Sequence, residues 1–128
     1  MSTHAGLNVG VPRRVLVVED DADAAAALAD LLRCWGHDVH VARNGERALA
    51  AARARPPDTV LLDLNLGDGP DGLEVAYRLR DEASLRDTRM FALTGYPPEV
   101  AGVAGELDGV LVKPVDERAL RQALNTLN

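Results

Sequence analysis

The 128-residue chain contains one cysteine (Cys34), one lysine (Lys113), four aromatic side chains and no long apolar run. A lone cysteine excludes an intramolecular disulfide and suits a reducing compartment. No stretch approaches the roughly 20 apolar residues that span a bilayer, and Met1 to Pro12 lacks the apolar segment of a signal peptide. A cytoplasmic protein with no membrane partner is therefore expected. The few aromatics leave no platform for stacking bases. A formal net charge of -6 and a pI near 4.9 oppose direct binding of nucleic acid.

The single lysine is informative because the other thirteen cationic side chains are all arginine. A guanidinium is a planar fork and an ammonium is a compact point charge; the two are not equivalent where a small anion must be reached. Hydrophobic residues make up 47% of the chain and charged residues 27%, the balance of a globular domain.

Residues 1–12 read as a flexible leader and residues 13–128 as one domain. Val15-Leu16-Val17-Val18, Val39 to Ala42, Thr59 to Leu62, Met90 to Leu93 and Val110 to Val112 are short apolar runs that read as strands. Between them lie helical patterns: an Ala-rich segment over 22–35 closed by Gly36, another over 45–54 capped by Asn44, one from about 72 to 82 with Leu73, Ala76, Tyr77 and Leu79 as its apolar stripe, and a last one from Asp116 to Leu127. Strand–helix alternation predicts an α/β fold, a parallel sheet covered on both faces.

In such sheets ligands bind beyond the carboxyl ends of the strands. Glu19, Asp20 and Asp21 follow the first strand, Asp63 ends the third, Thr94 the fourth, and Lys113 follows the fifth. Carboxylates gathered there repel one another unless they hold protons or a hard cation. Oxygen donors without nearby His or Cys favour Mg²⁺. Bound Mg²⁺ suits a phosphoryl oxygen, with the Thr94 hydroxyl and Lys113 ammonium as donors to the others, and a carboxylate can itself be the nucleophile.

Taken in order, Val15-Leu16-Val17-Val18-Glu19-Asp20-Asp21, Val60-Leu61-Leu62-Asp63, Ala92-Leu93-Thr94-Gly95 and Val112-Lys113-Pro114 resemble the receiver domain of two-component response regulators, of the CheY-like type, over about residues 13–127. The segments 93–96 and 111–116 look most like receivers attached to hybrid sensor kinases, although Met1 and the leader favour a free-standing protein. The resemblance implies a doubly wound, flavodoxin-like sheet of five parallel strands in the order 2-1-3-4-5. It implies that Asp63 accepts a phosphoryl group from a sensor histidine kinase or histidine phosphotransfer protein. Asp20 would bind Mg²⁺ directly, Glu19 through a metal-bound water, and Asn65 through its backbone carbonyl. Thr94 and Lys113 would engage the phosphoryl oxygens, with a cis Lys113–Pro114 bond. The only catalysis expected is the domain's own phosphotransfer and slow dephosphorylation, and the output is altered binding of an unidentified downstream protein.

Three features depart from the family pattern. Val110 stands where many receivers carry Tyr or Phe, so their aromatic switch cannot operate here. The interval from Thr94 to Lys113 is short and contains Pro97, Pro98, Gly102 and Gly105, which predicts a truncated or mobile fourth helix. Gly67 replaces the usual Pro after the acceptor, with one extra residue before Gly72. A scaffold that binds its partner without phosphorylation is the alternative reading. A phosphatase of the haloacid dehalogenase type is disfavoured because Asn65, not Asp, stands two residues after Asp63. The Gly67-Asp68-Gly69-Pro70-Asp71-Gly72 loop spells G-x-G-x-x-G, but its acids would face a pyrophosphate. His4, His37 and His40 read as surface residues, and Asp21 as a helix cap.

Overall fold

The computed structural model describes residues 12–66, 69–95 and 107–125. Five parallel strands, β1 (Arg14–Val18), β2 (Asp38–Ala42), β3 (Thr59–Asp63), β4 (Arg89–Thr94) and β5 (Gly109–Val112), form one sheet in the order β2-β1-β3-β4-β5. Four helices, α1 (Ala22–Cys34), α2 (Gly45–Ala54), α3 (Gly72–Arg80) and α4 (Glu117–Asn125), and a 3₁₀ turn (Ala83–Leu85) complete the described elements. The leader and the segment in which a shortened helix was expected lie outside the described residues, apart from Pro12, Gly95 and the residues from Leu107 onward.

Side chains alternate across a strand, so a strand reads as continuously apolar only when both faces are buried. Leu16, Val18, Val60, Leu62 and Met90 pack on one face with Leu49, Val75 and Leu79 from α2 and α3. Val15, Val17, Leu61, Phe91 and Leu93 pack on the other with Leu32, Leu120 and Leu124 from α1 and α4. Each fully buried Leu or Val contributes about 1.5–3 kcal/mol. Exposed pairs such as Arg53–Glu82 and Arg55–Asp38 contribute about 0–1 kcal/mol. The two apolar layers hold the fold.

Local signals set the helix ends. Asp21 accepts from the amides of Asp23 and Ala24, Asn44 from Arg47, and Asp71 from Glu74. Gly36 closes α1 at φ +95°, where a side chain would be strained. Beyond α3, Arg80 and Arg89 converge on Asp108, which also accepts from the Met90 amide, and so fasten that helix to β4 and the approach to β5.

Three expectations are corrected. Tyr77 does not belong to the inward stripe of α3: it is exposed, while Gly72, Val75, Ala76 and Leu79 are buried. At about 100° per residue those four share one arc and Tyr77 falls outside it. The helix ends at Arg80, two residues early, and a 3₁₀ turn follows. His37 is not a surface histidine. It is buried, and its Nδ1 accepts the Arg13 backbone N–H at 2.9 Å.

That bond requires a neutral ring nitrogen. Burial, with the nearby Arg13 charge, lowers the His37 pKa below 6.5. The unfolded chain then binds the proton more readily, so His37 stabilises the fold fully above pH 6.5, and this contribution is lost as the pH falls. Unfolding free energy should drop below pH 6.5 by up to about 1.4 kcal/mol per unit, and His37→Asn should flatten that part of the profile in denaturant titrations.

Thr59 raises a separate point of stability. Its side chain is wholly buried, and among the described residues its hydroxyl has no hydrogen-bond partner. Thr59→Val keeps the shape and removes the unsatisfied group, so it should stabilise by about 1 kcal/mol, read as a higher melting temperature.

Candidate phosphoryl-acceptor and metal site

The C-terminal edge of β1, β3, β4 and β5 gathers the expected residues. Glu19 and Asp20 extend past β1, whose register with β3 runs Val18 to Leu62, so Asp63 emerges beside them. The amide of Glu19 bonds to the Ala42 carbonyl at 3.0 Å. Past Asp63, the Leu64 amide bonds to the Leu93 carbonyl at 3.1 Å, and the Lys113 amide to the Thr94 carbonyl at 2.7 Å. The strand ends are thus laced together by backbone bonds before any side chain acts.

Carboxylate oxygens of Glu19, Asp20 and Asp63 lie within 4.8 Å of one another. Glu19 and Asp63 are buried at 3% and 5% exposure, whereas Asp20 is exposed. Lys113 Nζ reaches both buried acids, at 3.1 Å from Glu19 Oε1 and 3.2 Å from Asp63 Oδ2. Asp63 Oδ1 accepts the Asn65 amide at 2.9 Å, and Glu19 Oε2 accepts the Asp21 amide at 3.3 Å. The Lys113–Pro114 bond is cis. Thr94 is buried at the end of β4, in register with Val112. Asn65 is exposed beside the acceptor position.

Crowding shows in the electrostatics. Burial, reinforced by a hydrogen bond with Asp63, holds the Glu19 carboxyl above the usual carboxylate value, although Lys113 and the Asp21 amide oppose the rise. For Lys113 burial works the other way and favours the neutral amine. The bonds and charges of Glu19 and Asp63 outweigh it, and its pKa is raised. Two of the three clustered acids share the Lys113 ammonium, and negative charge crowded in this way is what a small divalent cation would neutralise. The donors are all oxygen, as a hard cation such as Mg²⁺ requires.

The model of the response regulator receiver domain family matches residues 15–125. This chain belongs to that family. Receiver domains of this family are signalling modules of two-component systems. It is 36% identical over 120 residues to the acid tolerance regulatory protein ActR of Sinorhizobium medicae, covering 91% of this chain and 60% of that protein. It is 37% identical over 108 residues to the DNA-binding response regulator MtrA of Mycobacterium tuberculosis, covering 84% of this chain and 47% of that protein. The chain therefore spans about half to three fifths of these curated relatives, and both are named as regulators rather than sensor kinases. Among solved structures, the chemotaxis response regulator CheY4 of Vibrio cholerae superposes with a TM-score of 0.82 at 27% identity, covering 92% of this receiver and all of that chain. A CheY-like receiver domain of Methylobacillus flagellatus gives 0.80 at 29% identity, with the same coverage. The sheet order of this receiver is the CheY-like one, and no described helix is long and apolar enough to cross a membrane.

The sequence reading missed one residue at this edge. Arg43, directly after β2, donates from Nε and Nη2 to the backbone carbonyl of Asp20, at 3.2 and 2.6 Å. Its place just past a strand end was the available signal, but a long side chain beside a helix cap reads as solvated surface.

Proposed function

We propose that this receiver takes a phosphoryl group onto Asp63, from a phosphohistidine on a sensor kinase or histidine phosphotransfer protein, and thereby alters its binding of a downstream protein. The observation that carries the proposal is the Lys113 ammonium set between two buried acids that themselves adjoin a third. In the transfer, a carboxylate oxygen of Asp63 attacks phosphorus, the P–N bond to imidazole breaks, and the leaving imidazole takes up a proton. Lys113 then exchanges one carboxylate partner for a phosphoryl oxygen, and the Thr94 hydroxyl donates to another. Hydrolysis by water returns the carboxylate and inorganic phosphate, with Asn65 standing on the solvent side.

Asp20, Asp63, the Asn65 carbonyl and, through water, Glu19 would hold Mg²⁺. When bound, the ion neutralises charge on the acids and on the transferring group. We assign residues 13–128 to this module and residues 1–12 to a leader. We place the protein in the cytoplasm, where a lone cysteine stays reduced, and infer no direct nucleic-acid contact by this domain from its net charge of -6.

Incubation with acetyl phosphate and Mg²⁺, followed by intact mass, should show a gain of one phosphate that chelation prevents. No gain from acetyl phosphate or from phosphohistidine donors would favour the phosphorylation-independent scaffold.

A further inference from the structure

We infer that Arg43 is a positioning residue for the metal-binding carboxylate of Asp20, an inference that rests on reading this edge as a Mg²⁺ site. The Glu19–Asp20–Asp21 segment is tied down as it leaves β1 and enters α1, its Asp21 amide bonded to Glu19 Oε2. The amide of Glu19 bonds to the Ala42 carbonyl, and the Asp21 side chain caps α1. Between them, the carbonyl of Asp20 is held by the Arg43 fork, Nε at 3.2 Å and Nη2 at 2.6 Å. Consecutive residues at the end of β2 thus hold consecutive acids at the end of β1.

The restraint is specific to guanidinium. Two N–H groups in fixed relative geometry converge on one carbonyl oxygen, whose two lone pairs can accept both. With the Asp21 amide of the same peptide held more loosely by Glu19 Oε2 at 3.3 Å, the fork on the carbonyl orients the Asp20–Asp21 peptide plane, and with it the direction in which the Asp20 side chain leaves the backbone. Asp20 is the exposed member of the three-acid cluster, so it lacks the packing that holds Glu19 and Asp63. Outside restraint matters most there.

Arg43 also brings a positive charge toward a cation site, and this effect has the opposite sign. Were charge its only influence, removing it would strengthen Mg²⁺ binding and replacing it with lysine would change nothing. If orientation dominates, alanine and lysine are both harmful, because one ammonium cannot reproduce the fork. The two accounts predict opposite results.

The test is Mg²⁺ titrated alone into the full chain by calorimetry, with Arg43→Ala and Arg43→Lys beside the parent. Expected is a rise in Kd of about tenfold for both variants, the low end for loss of a group that orients a metal ligand. In metal-free protein, amide exchange at residues 20–22 should quicken in both variants while the global melting temperature stays unchanged. Unaltered exchange, tighter binding in Arg43→Ala, or parental affinity in Arg43→Lys each overturns the inference while the metal site stands. A parent chain that takes up no Mg²⁺ overturns the reading of the site, and the role of Arg43 falls with it.

Discussion

Asp63→Asn should abolish the mass gain from acetyl phosphate and, in Mg²⁺-free buffer, melt at a higher temperature than the parent. The first result follows from nucleophilicity: an amide oxygen does not attack phosphorus as a carboxylate does, and the substitution changes little else in shape. The second follows from charge. In the metal-free protein three carboxylates lie within 4.8 Å of one another, and the two buried ones share one ammonium. The pKa of Glu19 is raised, first by burial and then by a hydrogen bond with Asp63, with the Asp63 charge adding a smaller push in the same direction. Asparagine retains an oxygen to accept the Asn65 amide and leaves Lys113 paired with Glu19. One negative charge disappears from a pocket that holds too many.

A gain of about 1 kcal/mol is expected, of the size seen when a functional site is relieved of its strain. Added Mg²⁺ should reverse the order. It stabilises the parent by mass action but has fewer ligands in the variant. A phosphate gain that survives in Asp63→Asn would place the acceptor elsewhere. A variant less stable than the parent without metal would mean that Lys113 already satisfies the acids.

The carboxyl-edge residues were legible because a parallel strand buried on both faces is written as an unbroken apolar run, and the polar residue that ends it must lie at the edge. Glu19, Asp20, Asp63, Thr94 and Lys113 all announce themselves in that way. Caps are equally local: Asp21 and Asn44 bond to amides two or three residues on. What escaped depends on neighbours distant in sequence. Tyr77 sits among apolar residues in the chain, yet the face of α3 that turns inward is chosen by contact with α2 and the sheet. His37 looks like a turn residue until β1 arrives beside it. Arg43 reaches back 23 residues to a carbonyl, and a backbone acceptor has no signature in sequence.

The most consequential of these distant contacts is that of Gly72, and Gly72→Ala should impair both stability and phosphorylation. Gly72 opens α3 against the end of the acceptor strand. A methyl group there would lie 2.5 Å from the Asp63 carbonyl oxygen and 2.6 Å from Leu64 Cα. Both are backbone atoms, so no side chain can swing aside; either the helix retreats or the strand end moves. Overpacking of this kind costs about 1–3 kcal/mol, and the upper half is expected because neither contact can yield by a rotamer change. The displaced element carries Asp63 itself, so the carboxylate shifts relative to Lys113 and Glu19.

Gly36→Ala is the matched control. Its penalty is conformational, at φ +95° with nothing within 4 Å, about 1 kcal/mol. It lies in the turn entering β2, at the opposite edge of the sheet. Denaturant titration should therefore rank Gly72→Ala below Gly36→Ala below the parent. Phosphorylation by acetyl phosphate, measured where all three are fully folded, should slow only in Gly72→Ala. Equal rates in all three would show that the close approach of α3 holds the fold without aiming the acceptor.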